Sequence, residues 1–353
     1  MIFIAGISIA VLIEFLLISK KEKAEEDIIL AVWIFSIAVL LFFAYLFFAG
    51  EAFNYPFLLG VERPLPLMQG VFLYWYVGSL TGQLPESRKL LVLHFLPTLL
   101  LYLYLIPFFL LSPQEKIAIY RSGGAGYETF EAIRIAAIEL SGIVYIGWSI
   151  FLLARHHRSV LDRFSYQDKV DLLWLRILTW GLGVIWLLIL VSDEVLYAGV
   201  TIFVFLIGFF GIRQERIVSR VGTTPKEPRE KYSKSGLSKE AAEELYESLI
   251  RLMEKEGLHR QNDLSIDDLA AKLDVHSNYL SQVINDREKK NFYDFVNQYR
   301  IAEFKKLASD PKKRNLTLLA LAFECGFNSK SSFNRYFKKA TGQTPSEYFA
   351  TIK

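Results

Sequence analysis

The first 212 residues alternate between long apolar stretches and short polar segments. A helix that spans a bilayer needs roughly 20 predominantly apolar residues. Seven stretches approach that length. A soluble all-α domain, the alternative to a transmembrane domain, is expected to contain fewer such stretches. They are Ile2–Ile18, Ile28–Phe48, Pro64–Thr81, Leu90–Leu111, Ile135–Ala154, Leu172–Val191 and Val195–Ile212. The pattern therefore predicts a polytopic transmembrane bundle of seven helices, in which Pro64–Thr81 is the weakest because prolines and glycines interrupt it.

Lysine and arginine are concentrated in alternate loops of this region. Cytoplasmic loops of membrane proteins carry an excess of these residues. The basic positions are Lys20, Lys21, Lys23, Arg88, Lys89, Arg155, Arg158, Arg163, Lys169, Arg213, Arg216 and Arg220. With seven helices they all fall on one side, which predicts an N-terminus outside a bacterial inner membrane and a C-terminus in the cytoplasm. Because the first basic residues follow the first apolar stretch, we interpret that stretch as a retained helix rather than a signal peptide.

The apolar periodicity ends after Ile212. Residues 213–236 are polar and charged and contain Pro225 and Pro228, as expected of a solvated linker. The domains are therefore predicted as 1–212 (transmembrane), 213–236 (cytoplasmic linker) and 237–353 (soluble and all-α).

The soluble part begins with a pattern typical of a helix-turn-helix unit. Ser238 is a predicted N-cap for a helix that runs to about Glu256. Ser265 and Asp268 resemble a capping box in front of a second short helix, whose apolar stripe points inward. A tight turn at Asp274–His276 leads into Ser277–Asn285, where polar residues remain on the outer faces.

The same pattern repeats about fifty residues further on, after a long helix over Asn291–Ser309. A turn at Cys325–Phe327 precedes a helix over Ser329–Lys339, and Gly342 stands where a helix C-cap is expected. Thr344 to Glu347 form a capping box with proline at the first helical position. Two recognition helices in one chain can enter successive major grooves about 34 Å apart.

The polar faces of these two helices carry the side chains that DNA recognition uses. Lysine and arginine contact phosphates, whereas amide, hydroxyl and guanidinium groups reach base edges. The candidate DNA-binding residues are Ser277, Asn278, Tyr279, Gln282, Ser329, Lys330, Ser332, Asn334, Arg335 and Lys338.

Composition and charge agree with this division. Hydrophobic residues make up 52% of the 353-residue chain. Residues 1–212 hold 14 basic and 17 acidic side chains, and the remainder holds 26 and 20. An apolar, slightly acidic front and a basic back are consistent with membrane and nucleic-acid contact.

The sequence offers no catalytic or metal-binding pattern. Its one cysteine, Cys325, excludes an intramolecular disulfide and a cysteine-based metal site. No H-E-x-x-H or G-x-S-x-G motif occurs in the apolar helices. Glu14, His94 and Glu139 lie near the ends of predicted spans, where an ionisable residue can reach the interface. We expect no enzymatic activity, cofactor or metal.

The C-terminal third resembles the DNA-binding part of AraC/XylS-type transcription regulators. The resemblance covers residues 237–353 and is strongest at Ala322, Gly326, Phe327, Ser332, Phe333, Phe337, Lys338, Gly342, Pro345 and Tyr348. It implies that Ser277–Asn285 and Ser329–Lys339 read DNA. Two positions depart from the family: the glycine that often follows the first recognition helix is absent from Asp286–Asn291, and Phe349 replaces a usual arginine. The front half looks like the membrane portion of bacterial regulators with this layout.

These patterns favour a membrane-bound, sequence-specific transcription regulator whose transmembrane part senses a membrane or extracellular signal. Its expected partners are operator DNA and the lipid bilayer, and the sequence leaves a homodimer and a small-molecule signal open. One alternative is a transporter or membrane enzyme with an autoregulatory DNA-binding domain. Another is a passive tether that holds a DNA locus at the membrane.

Overall fold

A computed structural model describes residues 1–166, 172–189, 191–213, 238–313 and 315–350, and it omits the side chains at 88, 212 and 213. Over these ranges the chain is helical and has no strands, and one isolated antiparallel bridge joins Phe164 to Ser265. The predicted all-α fold is confirmed. The predicted linker falls almost wholly on residues 214–237, outside the described ranges.

The chain forms two compact units, and their boundaries differ from the predicted domains. The first unit contains Met1–Ala154 and Leu172–Val218, and the second contains Arg155–Asp171 and Ser219–Lys353. The second unit thus includes a segment between two predicted membrane spans.

The first unit is built from ten helices within the described ranges, the eighth of which continues into the second unit. They are α1 (Ile2–Ile18), α2 (Glu25–Phe48), α3 (Met68–Leu80), α4 (Arg88–Leu93), α5 (Leu96–Tyr104), α6 (Ile106–Phe109), α7 (Pro113–Arg121), α8 (Glu128–Arg163), α9 (Leu173–Leu188) and α10 (Asp193–Arg213). Helix α1 packs on α2 and α10, and α2 also packs on α3.

Three helices are long and apolar enough to cross a membrane: Glu25–Phe48, Glu128–Arg163 and, within α10, Asp193–Gly211. Ile2–Ile18, Leu173–Leu188 and the segment Lys89–Tyr104, which contains α4 and α5, are apolar but shorter. The predicted count of seven spans is therefore not confirmed.

Two of the seven predicted stretches contain less continuous α-helix than expected. Within Pro64–Thr81 only the 13 residues of α3 are α-helical, and at 1.5 Å per residue they extend about 20 Å, short of a bilayer core of about 30 Å. The stretch Leu90–Leu111 is divided into α4, α5 and α6, and Pro97 and Pro107 lie at the starts of α5 and α6. Proline removes a backbone donor and favours helix starts, so apolar composition overestimated helix length here.

The interior of the first unit contains a short chain of buried hydrogen bonds. The indole of Trp33 donates to Gln69 Oε1 at 3.0 Å, and Gln69 Nε2 donates to Ser36 Oγ at 3.0 Å. All three side chains are buried. A buried polar group is tolerated when its hydrogen bonds are made, so Gln69 joins α3 to α2.

The three ionisable residues noted in the sequence have ordinary surroundings. His94 Nδ1 lies 2.8 Å from the hydroxyl of Tyr145. Glu14 is partly buried and Glu139 is exposed. No functional role is assigned to them.

The second unit contains the two predicted helix-turn-helix units. Its helices, after the end of α8, are α11 (Lys239–Glu254), α12 (Ile266–Lys272), α13 (Ser277–Glu288), α14 (Phe292–Ala308), α15 (Leu318–Glu324), α16 (Lys330–Thr341) and α17 (Pro345–Ala350). One apolar core lies around Leu269, Leu280 and Phe295, and a second lies around Phe304, Phe333 and Phe337. Helix α14 contributes to both cores and so joins the two units.

Replacing Gln69 by alanine is expected to destabilise the first unit by about 1–3 kcal/mol, because the indole N–H of Trp33 would stay buried without its acceptor. Thermal unfolding of the detergent-solubilised protein measures this. Gln114→Ala, at an exposed position of α7, is the matched control. Equal melting temperatures for the two variants would contradict the expected role of Gln69.

Candidate nucleic-acid interface

The first helix-turn-helix unit is fixed by local capping. Ser238 Oγ accepts the backbone N–H of Ala241 at 3.2 Å. The predicted capping box is present: Ser265 N donates to Asp268 Oδ2 at 2.8 Å, and Asp268 N donates to Ser265 Oγ at 3.2 Å. Such caps satisfy backbone donors that the first helical turn leaves free.

The first recognition helix, α13, is one turn longer than predicted. It continues to Glu288, which accepts a hydrogen bond from the hydroxyl of Tyr246 on α11 at 2.5 Å. Lys289 then takes the left-handed conformation, with φ at 54°. A lysine therefore occupies the kind of C-cap position that usually favours glycine. This accounts for the glycine that is absent from Asp286–Asn291.

The turn of the second unit depends on Gly326. Its φ is +95°, and a Cβ at this position would lie 2.6 Å from the carbonyl oxygen of His259 and 2.8 Å from that of Arg260. Both the conformation and the close approach require glycine. The turn of the second unit is therefore packed directly on the backbone that follows α11.

Capping also fixes both ends of the second recognition helix, α16. Ser329 Oγ accepts the backbone N–H of Ser332 at 3.1 Å. The helix ends at Gly342, whose φ is +78°. The predicted capping box between Thr344 and Glu347 then starts α17.

The candidate DNA-binding residues differ in their exposure. The exposed ones are Asn278, Gln282, Lys330, Arg335 and Lys338; the partly buried ones are Ser277, Tyr279, Ser329 and Asn334; Ser332 is buried. No described residue hydrogen-bonds to the side-chain amide of Asn278 or Gln282. Five candidates are thus exposed at the protein surface, and the assignment of all ten to DNA contact stays a prediction.

Ser332 is the buried member of the ten candidates, at 6% exposure. Positions 332 and 336 are one helical turn apart, and Tyr336 belongs to the second core, which places the serine beside the apolar face of α16. The contact of Ser332 with DNA stays a prediction, which its burial does not favour.

The two recognition helices differ in charge. Helix α16 presents Lys330, Arg335 and Lys338 at its surface. On α13 the charge of Arg287 is offset by an ion pair with Glu243. The exposed surface of α16 is therefore more basic than that of α13.

Arg300 is a structural residue that the sequence analysis missed. It is 1% exposed in the middle of α14, and it donates to the carbonyl oxygens of His259 at 2.7 Å and Gln261 at 2.6 Å. Its position between Val296 and Phe304, four residues from each, was the available signal. An arginine on an otherwise apolar helical face indicates a buried charge with fixed partners.

Phe349 explains the second departure from the expected family pattern. Its ring contacts the rings of Phe304 and Phe337 at centroid distances of 5.7 Å and 6.4 Å. An aromatic residue thus extends the second core at this position.

Comparison with known proteins identifies the same region. Residues 269–351 match the helix-turn-helix domain family, and the C-terminal region carries an AraC-type helix-turn-helix domain. The resemblance noted in the sequence is confirmed for this region.

Two kinds of relatives match part of the chain. The chain is 35% identical over 91 residues to an uncharacterised HTH-type transcriptional regulator of Staphylococcus aureus strain COL. The matched residues make up 26% of this chain and 12% of that protein. It is 25% identical over 107 residues to the "probable transcription factor PqrA" of Proteus vulgaris, covering 30% of this chain and 84% of that protein. No solved structure gives a significant match.

Replacing Gly326 by alanine is expected to destabilise the second unit by about 3 kcal/mol, because left-handed strain adds to overlap with two backbone carbonyls. Gly342→Ala is the control: its φ is also positive but its Cβ would meet no atom within 4 Å, so a cost of about 1 kcal/mol is expected.

The reactivity of Cys325 measures the difference in stability between the Gly326→Ala and Gly342→Ala variants. It is the only cysteine, and burial raises the pKa of its thiol to about 12, so the folded protein should react slowly with maleimide. Labelling should be much faster in the Gly326 variant than in the Gly342 variant. Equal labelling rates would contradict the proposed close packing.

Proposed function

We propose that this protein is a membrane-bound transcription regulator that binds DNA sequence-specifically and responds to a signal received by its membrane part. The observation that carries the DNA-binding part is the pair of capped helix-turn-helix units, α12–α13 and α15–α16, each with an exposed polar helix. The family match over residues 269–351 supports it. So do the relatives, whose names describe transcriptional regulators.

Apolar helix surfaces support the membrane location. Phe15 is 66% exposed, Phe35 59% and Ile143 73%. Such large side chains are expected at a lipid-facing surface, where no aqueous contact opposes them. With three helices of spanning length, these surfaces favour a protein held in a bilayer.

Helix α8 supports the predicted orientation. Its 36 residues extend about 54 Å at 1.5 Å per residue, well beyond a hydrocarbon core of about 30 Å. The surplus at its C-terminal end belongs to the second unit from Arg155 onward. Membership of one compact unit supports a common side of the membrane for this basic end and the candidate DNA-binding residues, in agreement with the orientation predicted from lysine and arginine.

A random duplex library tests the DNA-binding function. The full-length protein in lipid nanodiscs is expected to enrich one sequence, with an affinity that falls steeply as salt rises because lysine and arginine displace counterions. Binding no tighter to any enriched duplex than to random DNA would refute the proposal. Solute uptake by proteoliposomes without duplex enrichment would favour the transporter alternative.

Substitutions in the recognition helices are expected to separate base reading from phosphate contact. Gln282→Ala should cost about 1–3 kcal/mol on the enriched duplex and relax its sequence preference. Lys338→Ala should weaken binding to all duplexes alike and reduce the salt dependence. Lys255→Ala, an exposed lysine after α11, is the control, and fluorescence anisotropy is the measurement. A loss with the control as large as with Gln282→Ala would argue against α13 as a reading helix.

A further inference from the structure

The guanidinium of Arg300 is buried without a carboxylate among its described partners. Its five described hydrogen bonds all go to neutral oxygens: His259 O, Gln261 O, Asn297 Oδ1, Ser165 O and Ser165 Oγ. Burial lowers the pKa of Arg300 to about 10. A buried charge of this kind is stable only while its acceptors remain in place.

Two of the five acceptors belong to Ser165, which lies 135 residues away in the sequence. The carbonyl oxygen of Ser165 also accepts the side-chain amide of Asn297 at 3.1 Å. Its backbone N–H donates to Leu264 O at 3.1 Å, and Ser165 itself is 1% exposed. This serine is therefore an integral part of the DNA-binding unit, although it precedes the last predicted membrane spans.

The residues before Ser165 are embedded in the same way. Val160 is 1% exposed, and Leu161 packs against the second core. Phe164 is paired with Ser265, the N-cap of α12. We call residues 160–166 the docking segment. It touches the first helix-turn-helix unit through Leu264 and Ser265 and the core of the second through Leu161.

The docking segment contacts several separate parts of the second unit. Its hydrogen bonds join it to α14 and to the chain between α11 and α12, and Leu161 packs against the second core, to which α16 contributes Phe333 and Phe337. The segment thus ties together the parts that set the spacing of the two predicted recognition helices, which must match successive major grooves.

Helix α8 gives this contact a second role. Its residues up to Ala154 belong to the first unit, and the same continuous helix ends at Arg163, two residues before Ser165. A shift of α8 must either carry Ser165 along or break its bonds to Arg300. A buried arginine that keeps only some of its hydrogen bonds is energetically costly. The contact therefore favours two states, one with Ser165 bound to Arg300 and one with Ser165 released, and such two-state behaviour is the property of a switch.

We propose that the docking segment is a built-in regulatory element of the DNA-binding unit. Docked, it holds the two recognition helices at the spacing that DNA requires; released by movement of α8, it lowers DNA affinity. This inference rests on the proposed DNA-binding function.

The test uses the full-length protein in nanodiscs with the duplex enriched by the wild type. Ser165→Ala removes one acceptor of Arg300 and is expected to lower affinity roughly tenfold. Ser159→Ala, a partly buried serine that is not an acceptor of Arg300, is the control. Protection of Cys325 from maleimide shows that each variant remains folded.

A disulfide restores docking in the weakened variant. Residues paired by an antiparallel bridge have Cα atoms about 4.5–5.5 Å apart, within the range that a disulfide spans. Phe164→Cys and Ser265→Cys, added to Ser165→Ala, should recover affinity to within about twofold of wild type when oxidised and lose it when reduced. Unchanged affinity with Ser165→Ala, or weaker binding in the oxidised state, would overturn the proposal.

A second readout does not depend on DNA. Spin labels at Asp286→Cys on α13 and Ala340→Cys on α16, both exposed positions, report the distance between the recognition helices. Ser165→Ala should broaden the distance distribution, and Ser159→Ala should not. If the wild-type protein selects no duplex, the proposed DNA-binding function is refuted. The spin-label distances test the docking segment separately: an unchanged distance distribution in Ser165→Ala would refute its role in holding the two helices.

Discussion

The burial of one arginine organises the second unit. Arg300 can lose its water only because backbone carbonyls and two polar side chains surround it, and these come from three separate places in the chain. The stretch 259–261 must turn toward α14, and Ser165 must arrive from the end of α8. Gly326 packs on the carbonyls of the same stretch. The two helix-turn-helix units are thus held together by a shared requirement for hydrogen bonds as well as by apolar packing.

Local rules predicted the helix-turn-helix units well. Ser238, Ser265 and Thr344 all cap the helices that the sequence assigned to them, because a cap depends on residues within four positions of each other. Apolar periodicity likewise identified the inner face of α12. Ser332, one turn before Tyr336, is buried, and its contact with DNA stays a prediction.

The helices of residues 1–212 were harder to predict, because apolar composition does not reveal where a helix ends. Pro97 and Pro107 divide a stretch that hydropathy alone treats as one span. In α3 the buried Gln69 and its partner Trp33 make the helix an internal element of its unit. A count of apolar stretches therefore measures hydrophobicity and not the number of crossings.

Contacts between distant residues lay beyond any local pattern. The arginines before Ser165 carry a sequence signal, because basic residues indicate membrane orientation. Ser165 itself carries none, although it supplies two hydrogen-bond acceptors to Arg300. Arg300 was detectable as a charge on an apolar face, but its acceptors were not. Asn297, one turn earlier, shares an acceptor with it, and only three-dimensional proximity reveals that pairing.

The second unit is formed by two separate segments of the chain, and this limits how genetic recombination can exchange its parts between proteins. A domain encoded by one uninterrupted stretch can be transferred to a new sensor by a single crossover in the linker. Here, a crossover within residues 214–237 would transfer Arg300 and leave Ser165 behind. A functional hybrid would need a matching serine and helix end from its new front half. The two halves of this chain are therefore expected to be inherited together.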